Sequence, residues 1–257
     1  MLHNQSARSR WHGVSQIIRF NWRFYLASAV VLAVGSPAVA VLVAEPWLKC
    51  AAWFCLAVIA FWTVMSLAAS HWVYDRSIIT KWMWIGRYFP QAPQRWANIH
   101  AGLDESSAAL KELFPGTRGE ILDIFDPVEM TEASIAEARR HAGNQLTTTT
   151  ADLRHLPLAD GQYDALFLIF AAHEIRQTET RRQFFAELKR ALRPGGQIMI
   201  VEHLRDWKNF IAYGPGCFHF QSRATWHRAA LQSGLRIERE FSITPFVRIF
   251  LLRKPSH

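Results

Sequence analysis

Two uncharged apolar runs near the start of the chain, residues 24–44 and 50–70, constrain most strongly what this sequence can fold into. Each run has 21 residues. An α-helix of that length spans about 30 Å, which is the thickness of the hydrocarbon core of a bilayer. Because only the short stretch EPWLK lies between the runs, the pattern predicts a transmembrane helical hairpin over residues 24–70.

Two other interpretations compete with the hairpin. A cleavable signal peptide has a shorter apolar core and a small-residue cleavage site, and a second apolar run does not follow it directly. A pair of helices buried in the core of a soluble protein remains open, because such helices are also apolar all round.

The net charge of +8 lies mostly beside the apolar runs. Residues 1–23 carry +4 and residues 71–95 carry +3, whereas residues 96–257 hold 20 basic and 19 acidic side chains. Basic flanks on both sides predict an inner-membrane protein with both termini and the following domain in the cytoplasm. The nearly neutral domain argues against a nucleic acid as partner.

These boundaries predict four parts: a basic cytoplasmic segment (1–23), the hairpin (24–70), a connector (71–95) and a domain (96–257). The connector mixes aromatic and basic residues, so it is predicted as an interfacial helix followed by a proline-punctuated link. A helix packed on the domain is the alternative. The chain has three cysteines, and their positions indicate neither a disulfide framework nor a zinc site.

Apolar strand-like runs alternate with helical patterns from Arg95 onward. The strands are predicted at WANIHA, EILDIF, YDALFLIFAAH and QIMIVEHL, and RPGG is predicted to break the chain before the last of them. The helix TEASIAEARRHA is predicted to begin with Thr131 as its N-cap. This alternation predicts an α/β domain with a mostly parallel sheet, whose ligands bind beyond the carboxyl ends of the strands.

The stretch ADLRHLPLADGQYDALFLIFAAHEI, followed by FFAELKRALRPGGQIMIVEHL, resembles the class I S-adenosylmethionine-dependent methyltransferases. Within that family it is most similar to enzymes that act on quinones and other lipophilic small molecules. The resemblance covers residues 96–203, and the final GLRIEREFSITPFVRIFLLRK fits the family's closing strands. It implies a Rossmann-like, doubly wound sheet with a terminal antiparallel strand pair, S-adenosylmethionine as the cofactor and a lipophilic small-molecule substrate.

The resemblance also implies residues that bind the cofactor. Asp152 matches the position that contacts the adenine amino group, and Leu153 flanks the adenine ring. Asp126, placed at the end of the second strand, matches the residue that binds the ribose hydroxyls, and a carboxylate can accept from both hydroxyls. The alternative for Asp126 is an N-cap before Pro127.

The first cofactor loop departs from the family pattern. The family's acidic residue and alternate glycines correspond here to Asn98, His100, Gly102 and Asp104, so only Gly102 is retained. Asp104 is predicted to bind the cofactor's amino group in place of the usual acid, and Asn98 belongs to the same loop. His100 must turn aside or occupy cofactor space.

Three histidines follow strands that are neighbours in this fold. His100 ends the first strand, His173 the fourth and His203 the fifth. All three are predicted catalytic residues, and we expect at least one of His173 and His203 to act as a general base. Carboxylates accompany them, so metal binding is an alternative. No metal site is predicted, because the sequence has no tight ligand spacing.

The sequence therefore predicts a membrane-anchored methyltransferase that uses S-adenosylmethionine on a lipophilic small molecule. The rival hypothesis is a protein that keeps the fold but carries out a non-methylating or metal-assisted reaction, or only binds.

Overall fold

A computed structural model of the protein describes residues 10–141 and 147–256. Three helices precede the sheet: α1 (His12–Phe20), α2 (Trp22–Leu42) and α3 (Pro46–Ser70). Helices α2 and α3 pack against each other as a hairpin, and both are long and apolar enough to cross a bilayer. Of the predicted basic segment, residues 1–9 lie outside the described part of the chain.

Seven strands form one sheet in the order β3-β2-β1-β4-β5-β7-β6. The first five strands in this order are parallel, while β7 runs antiparallel to both β5 and β6. Their bounds are β1 Arg95–His100, β2 Arg118–Asp123, β3 Thr149–Thr150, β4 Tyr163–Ile169, β5 Leu192–His203, β6 Arg236–Thr244 and β7 Val247–Arg253. The predicted mostly parallel sheet with a terminal antiparallel pair is confirmed.

Helices α5 (Ala133–Arg140), α6 (Thr178–Ala191) and α8 (Arg223–Ser233) cover one face of this sheet. Leu166 and Leu168 of β4 point into a core that includes Phe184 of α6 and Trp226 of α8. Ala165 and Phe167 point to the opposite face, as the alternation of side chains along a strand requires. The helices of the domain are α4 Ser107–Leu113, α5 Ala133–Arg140, α6 Thr178–Ala191, α7 Trp207–Tyr213 and α8 Arg223–Ser233.

The connector and helix α4 cover the second face of the sheet. Its π-helical turn His71–Arg76 continues α3, and its side chains Val73, Ile85 and Phe89 share a core with Phe167. This segment is therefore packed on the domain, as the alternative interpretation held, and it is not a free interfacial helix. The apolar sheet face requires a cover, and the aromatic residues of the connector supply it.

Three predicted boundaries are wrong in detail. Helix α5 begins at Ala133 with Glu132 at its N-cap, so Thr131 does not cap it. Strand β5 begins at Leu192 and includes RPGG, which forms a bulge opposite β4 and takes Gly195 to φ +75°. Strand β2 ends at Asp123, so Asp126 lies beyond it.

Candidate functional site

The carboxyl ends of β1, β4 and β5 meet at one edge of the sheet because these strands are direct neighbours. His100, His173 and His203 follow those ends, and all three line one cavity of about 910 Å³. The structure thus brings together the three histidines singled out in the sequence.

The helices before the sheet form the other side of this cavity. Residues from α1, α2 and α3 share its lining with the strand ends: Gln16, Ile17, Tyr25, Ser28, Trp62 and Ser66. The cavity is therefore continuous from the sheet edge to the apolar hairpin, which no local sequence pattern indicates.

His173 is held between two carboxylates. Its Nδ1 lies 2.6 Å from Oε2 of Glu202, and its Nε2 lies 3.3 Å from Oε1 of Glu174. Burial opposes a charge on the ring, but Glu202 and Glu174 outweigh burial and raise the pKa of His173 to about 10. With a carboxylate at each ring nitrogen, protonated His173 donates hydrogen bonds to both, and its role as a general base stays a prediction.

His203 has the opposite character. Burial, followed by the positive charge of His173, lowers its pKa to about 4. Its Nδ1 lies 3.0 Å from the carbonyl oxygen of Phe246, so Nδ1 carries the proton. Its Nε2 lies 2.8 Å from the hydroxyl of Tyr74 and accepts a hydrogen bond from it. His203 is therefore a neutral acceptor in the cavity wall.

His100 turns toward its own loop. The N–H of Gly102 donates to Nδ1 of His100 at 3.3 Å, which leaves the proton on Nε2. Burial lowers the pKa of His100, so the ring is neutral. Its Nε2 is buried and has no hydrogen-bond partner among residues 10–141 and 147–256. A polar ligand in the cavity would satisfy this donor.

Asn98 and Asp104 stabilise the loop itself. The amide nitrogen of Asn98 lies 3.1 Å from Oδ1 of Asp104 and 2.7 Å from the hydroxyl of Ser107. The same Oδ1 accepts the N–H groups of Ser106 and Ser107, at 3.1 and 2.9 Å, where α4 begins. Asp104 therefore acts as a helix-capping residue, which weakens its predicted role toward a cofactor amino group.

Arg139 of α5 crosses the loop at Gly102. A Cβ atom at Gly102, whose φ is +147°, would lie 2.7 Å from Cγ of Arg139. The guanidinium of Arg139 donates to Oδ2 of Asp123 at 2.7 Å and lies over the ring of Phe125. The carboxylate of Asp123, at the end of β2, therefore already forms an ion pair with Arg139.

The remaining predicted cofactor residues lie outside the lining of the cavity. Asp126 accepts the N–H of Val128 at 2.8 Å in a turn, which is the local role left open above. Asp152 is exposed beside β3 and accepts the N–H of Arg154 at 2.8 Å. Leu153 is a core residue. The structure does not bring these residues into contact with the histidines.

Asp123 ends β2, and Asp152 lies two residues beyond the neighbouring strand β3. Carboxylates at these positions suit the hydroxyl and amino donors of an adenosine group. The unpartnered Nε2 of His100 offers a donor nearer the cavity. Arg139 must move aside for Asp123 to bind a ribose.

The comparisons with known proteins agree with this geometry. Residues 121–200 match the family described as Methyltransferase domain. The ubiquinone/menaquinone biosynthesis C-methyltransferase UbiE of Paracoccus denitrificans is 29% identical over 118 residues, or 44% of each chain. The demethylmenaquinone methyltransferase of Thermus thermophilus is 30% identical over 112 residues, which cover 44% of this chain and 48% of that protein. The matches thus span less than half the length of these relatives.

A solved S-adenosylmethionine-dependent methyltransferase from Aquifex aeolicus has the same fold. It superposes with a TM-score of 0.52 at 15% identity, covering 70% of this chain and 93% of the other. The sheet and the family match agree on the class: residues 121–200 match a methyltransferase domain, within a fold shared with that solved methyltransferase. The predicted methyltransferase class is confirmed for that stretch.

Sequence reasoning missed the partners that set the chemistry of the histidines. Tyr74 belongs to the connector and is 129 positions from His203 in the chain. Arg139 lies on the amphipathic helix α5, and its contact with Gly102 depends on how this helix packs against the sheet. No motif marks either residue, because both contacts are long-range.

Proposed function

We propose that the chain is a membrane-anchored methyltransferase that transfers the methyl group of S-adenosylmethionine to a lipophilic small molecule, quinone-like or lipid, at the cytoplasmic face of the inner membrane. The observation that carries the proposal is the cavity of about 910 Å³ shared by the strand ends and the apolar helices. A molecule dissolved in the bilayer would reach the strand ends along the hairpin. The names of the Paracoccus and Thermus relatives support a quinone-like acceptor.

The exposure of α2 and α3 supports the anchor. Only 6% of the most apolar stretch of α2, and 11% of that of α3, is buried by other described residues. Core helices of a soluble protein are mostly buried, which disfavours that alternative. Exposed Trp22, Trp47 and Trp72 lie at the ends of the two helices, where indole rings favour the membrane interface.

Polar side chains follow the cavity side of the hairpin. Ser28, Ser66 and Ser70 are buried and line the cavity, although they belong to otherwise apolar helices. The hydroxyl of Tyr25 lies 3.2 Å from Oγ of Ser66. Polar groups inside a membrane helix usually face an interior path or cavity. These residues suit an acceptor with an oxygen-bearing head group and an apolar body.

The site residues have distinct roles in this mechanism. When S-adenosylmethionine is bound, it supplies an electrophilic methyl carbon. Asp123 and Asp152 would hold its ribose and its adenine, and Gly102 would allow close approach of the backbone. Nε2 of His203 accepts the proton of the acceptor's hydroxyl or acidic carbon, directly or through the hydroxyl of Tyr74. Positioning and proton removal are the contributions of the protein.

The test uses the full chain in lipid nanodiscs. Calorimetric titration with S-adenosylmethionine and S-adenosylhomocysteine is expected to show binding, and labelled methyl is expected to appear in a quinone or lipid fraction. His203→Gln should lower the transfer rate by roughly 100-fold or more while S-adenosylhomocysteine affinity is unchanged. His227→Gln is the control, because His227 pairs with Glu240 outside the cavity lining. Binding without transfer to any lipophilic fraction would contradict the proposed substrate class.

The second candidate is that the protein keeps the methyltransferase fold but does not methylate. It would then catalyse another S-adenosylmethionine reaction or a metal-assisted reaction, or would only bind a ligand. The observation that favours it is the Arg139 side chain, which fills the space above Gly102 and pairs with Asp123. Absence of binding to both cofactor forms, in a protein that remains folded, would replace the first candidate by this one.

A further inference from the structure

A second group of side chains in the cavity has no role in the mechanism above. It consists of His173 and Glu174, on the turn after β4, and His219, at the end of the segment Gly214–His219. One donor atom from each residue lies within 4.8 Å of the other two. All three residues line the cavity.

The distances between the donor atoms match a single ion. Oε1 of Glu174 lies 3.3 Å from Nε2 of His173 and 3.5 Å from Nε2 of His219. Nitrogen and oxygen ligands about 2.1 Å from a metal lie roughly 3.0–3.5 Å from one another in tetrahedral or octahedral geometry. Two of the three distances between donor atoms in the cluster already lie in this range.

Each imidazole has a carboxylate at its other nitrogen. Nδ1 of His173 lies 2.6 Å from Glu202, and Nδ1 of His219 lies 3.5 Å from Glu132. Metal-binding histidines typically donate their second N–H to such a carboxylate, which fixes the ring and its tautomer. The guanidinium of Arg176 donates to both Nδ1 of His219 and Glu132, so Nδ1 of His219 accepts and its ring proton lies on Nε2. A metal ion at Nε2 of His219 would displace that proton, as metal binding to histidine does.

Two observations favour a cation at this cluster. Oε2 of Glu174 is buried and has no hydrogen-bond partner in the described part of the chain. Glu174, Glu202 and Glu132 also bring three carboxylates to the cluster, against the guanidinium of Arg176 and the imidazolium of His173, whose proton a metal ion would replace. Buried carboxylates require compensating charge, and a divalent ion would supply it.

We propose that His173, Glu174 and His219 bind one divalent transition-metal ion through Nε2, a carboxylate oxygen and Nε2. Two imidazoles and one carboxylate suit ions such as Zn²⁺, Co²⁺ and Fe²⁺, and three protein ligands leave coordination positions open toward the cavity. This differs from the prediction made from the sequence, where the ligands are too far apart to form a spacing motif.

The open positions give the ion a use in the same cavity. A hydroxyl oxygen of the acceptor would bind there and become more acidic, and His203 would remove its proton. This use rests on the proposed function, whereas the metal site itself rests only on the cluster.

The experiment is a titration of the metal-free full chain in detergent with Co²⁺, followed by visible absorption and by competition with a chelator. We expect one Co²⁺ per chain and a spectrum that a chelator removes and added Co²⁺ restores. Glu202→Gln should weaken binding roughly 10- to 100-fold, the usual effect of losing an orienting residue. His219→Ala should weaken it further, and His219 is partly exposed, so its truncation leaves the core intact.

His227→Ala is the matched control, since it removes a histidine that pairs with a glutamate outside the cluster. Equal Co²⁺ affinity of wild type, His219→Ala and Glu174→Gln would overturn the metal site. Parallel titration with S-adenosylhomocysteine separates the two proposals. Co²⁺ binding without S-adenosylhomocysteine binding would support the metal site and contradict the proposed function. S-adenosylhomocysteine binding without Co²⁺ binding would support the proposed function and contradict the metal site.

Discussion

His203 couples the stability of the fold to acidity. Burial lowers the pKa of His203 to about 4, whereas an unfolded chain has a histidine pKa of about 6.5. The folded state therefore binds this proton less readily than the unfolded state. The stabilising contribution of neutral His203 is complete above pH about 6.5 and is lost as the pH falls toward about 4.

We expect the free energy of unfolding of the wild-type protein to fall by roughly 2 kcal/mol more than that of His203→Gln between pH 7 and pH 5, because glutamine has no proton to bind. Denaturant unfolding in one detergent at both pH values measures the difference. An identical loss in the two proteins would show that His203 does not titrate in that range.

Arg139 competes for the carboxylate that ends β2. It donates to Asp123 at 2.7 Å and lies against Gly102. Removing the guanidinium frees Asp123 to accept the ribose hydroxyls, so we expect Arg139→Met to bind S-adenosylhomocysteine more tightly and Asp123→Asn to bind it more weakly. Calorimetry measures both affinities.

Arg140→Met is the control for that comparison, because Arg140 is the next residue along α5 and pairs with Glu137 at the surface. Weaker binding by Arg139→Met alone would mean that the guanidinium contacts the ligand, which contradicts the competition.

At the scale of elements, α1 acts as a cover for the cavity and is held by a distant residue. The carboxylate of Asp75 accepts the N–H groups of Gly13 and Val14, at 2.6 and 3.1 Å, in the first turn of α1. The packing is close, since a Cβ at Gly13 would lie 2.4 Å from Cβ of Tyr74. A carboxylate at a helix N-terminus also interacts favourably with the helix dipole.

We expect Asp75→Ala to destabilise α1 locally by about 1 kcal/mol, the usual cost of losing a cap. Hydrogen exchange of the peptide that covers His12–Phe20 should become about fivefold faster. Asp160→Ala is the control, because the Asp160 side chain is 78% exposed and lies near Arg190. Unchanged exchange in Asp75→Ala would show that α1 is held by its apolar contacts instead.

The elements of the sheet were predictable from local pattern, and their exact ends were not. Unbroken apolar runs such as YDALFLIFAAH occur where a strand is buried on both faces, and β4 is such a strand. The RPGG stretch indicates a break when it is considered alone, but β4 and β7 hold its backbone as a bulge in β5. Long-range pairing overrides the local turn signal there.

At the scale of the whole molecule, the hairpin and the domain enclose one cavity. Trp62 of α3 contacts Phe210 of α7 edge to face, and a Cβ at Gly214 would lie 2.7 Å from the Trp62 ring. Segments that are far apart in the chain thus form one wall, and this wall connects the strand ends with the apolar helices.

We expect Ser28→Trp to block this passage, since Ser28 is buried and lines the cavity. Transfer to a lipophilic acceptor in nanodiscs should fall at least about tenfold, because one indole fills much of the path between the helices. The affinity for S-adenosylhomocysteine should stay constant. Val41→Trp on the same helix is the control, as Val41 is 81% exposed. Equal loss in both variants would mean that the helix tolerates no tryptophan, and equal activity would contradict the passage.

The sequence by itself determined the elements, namely the apolar hairpin and the order of strands and helices along the chain, and its motifs carried the resemblance to methyltransferases. Helix length, apolar periodicity and ordered motifs are local properties, so they can be recognised in the sequence without a structure. Only the tertiary structure decided the chemistry of the site. It placed Glu202 and Glu174 on His173, Tyr74 on His203 and Arg139 on Asp123. Charge, tautomer and burial depend on neighbours that are distant in the chain, and no run of residues encodes them locally.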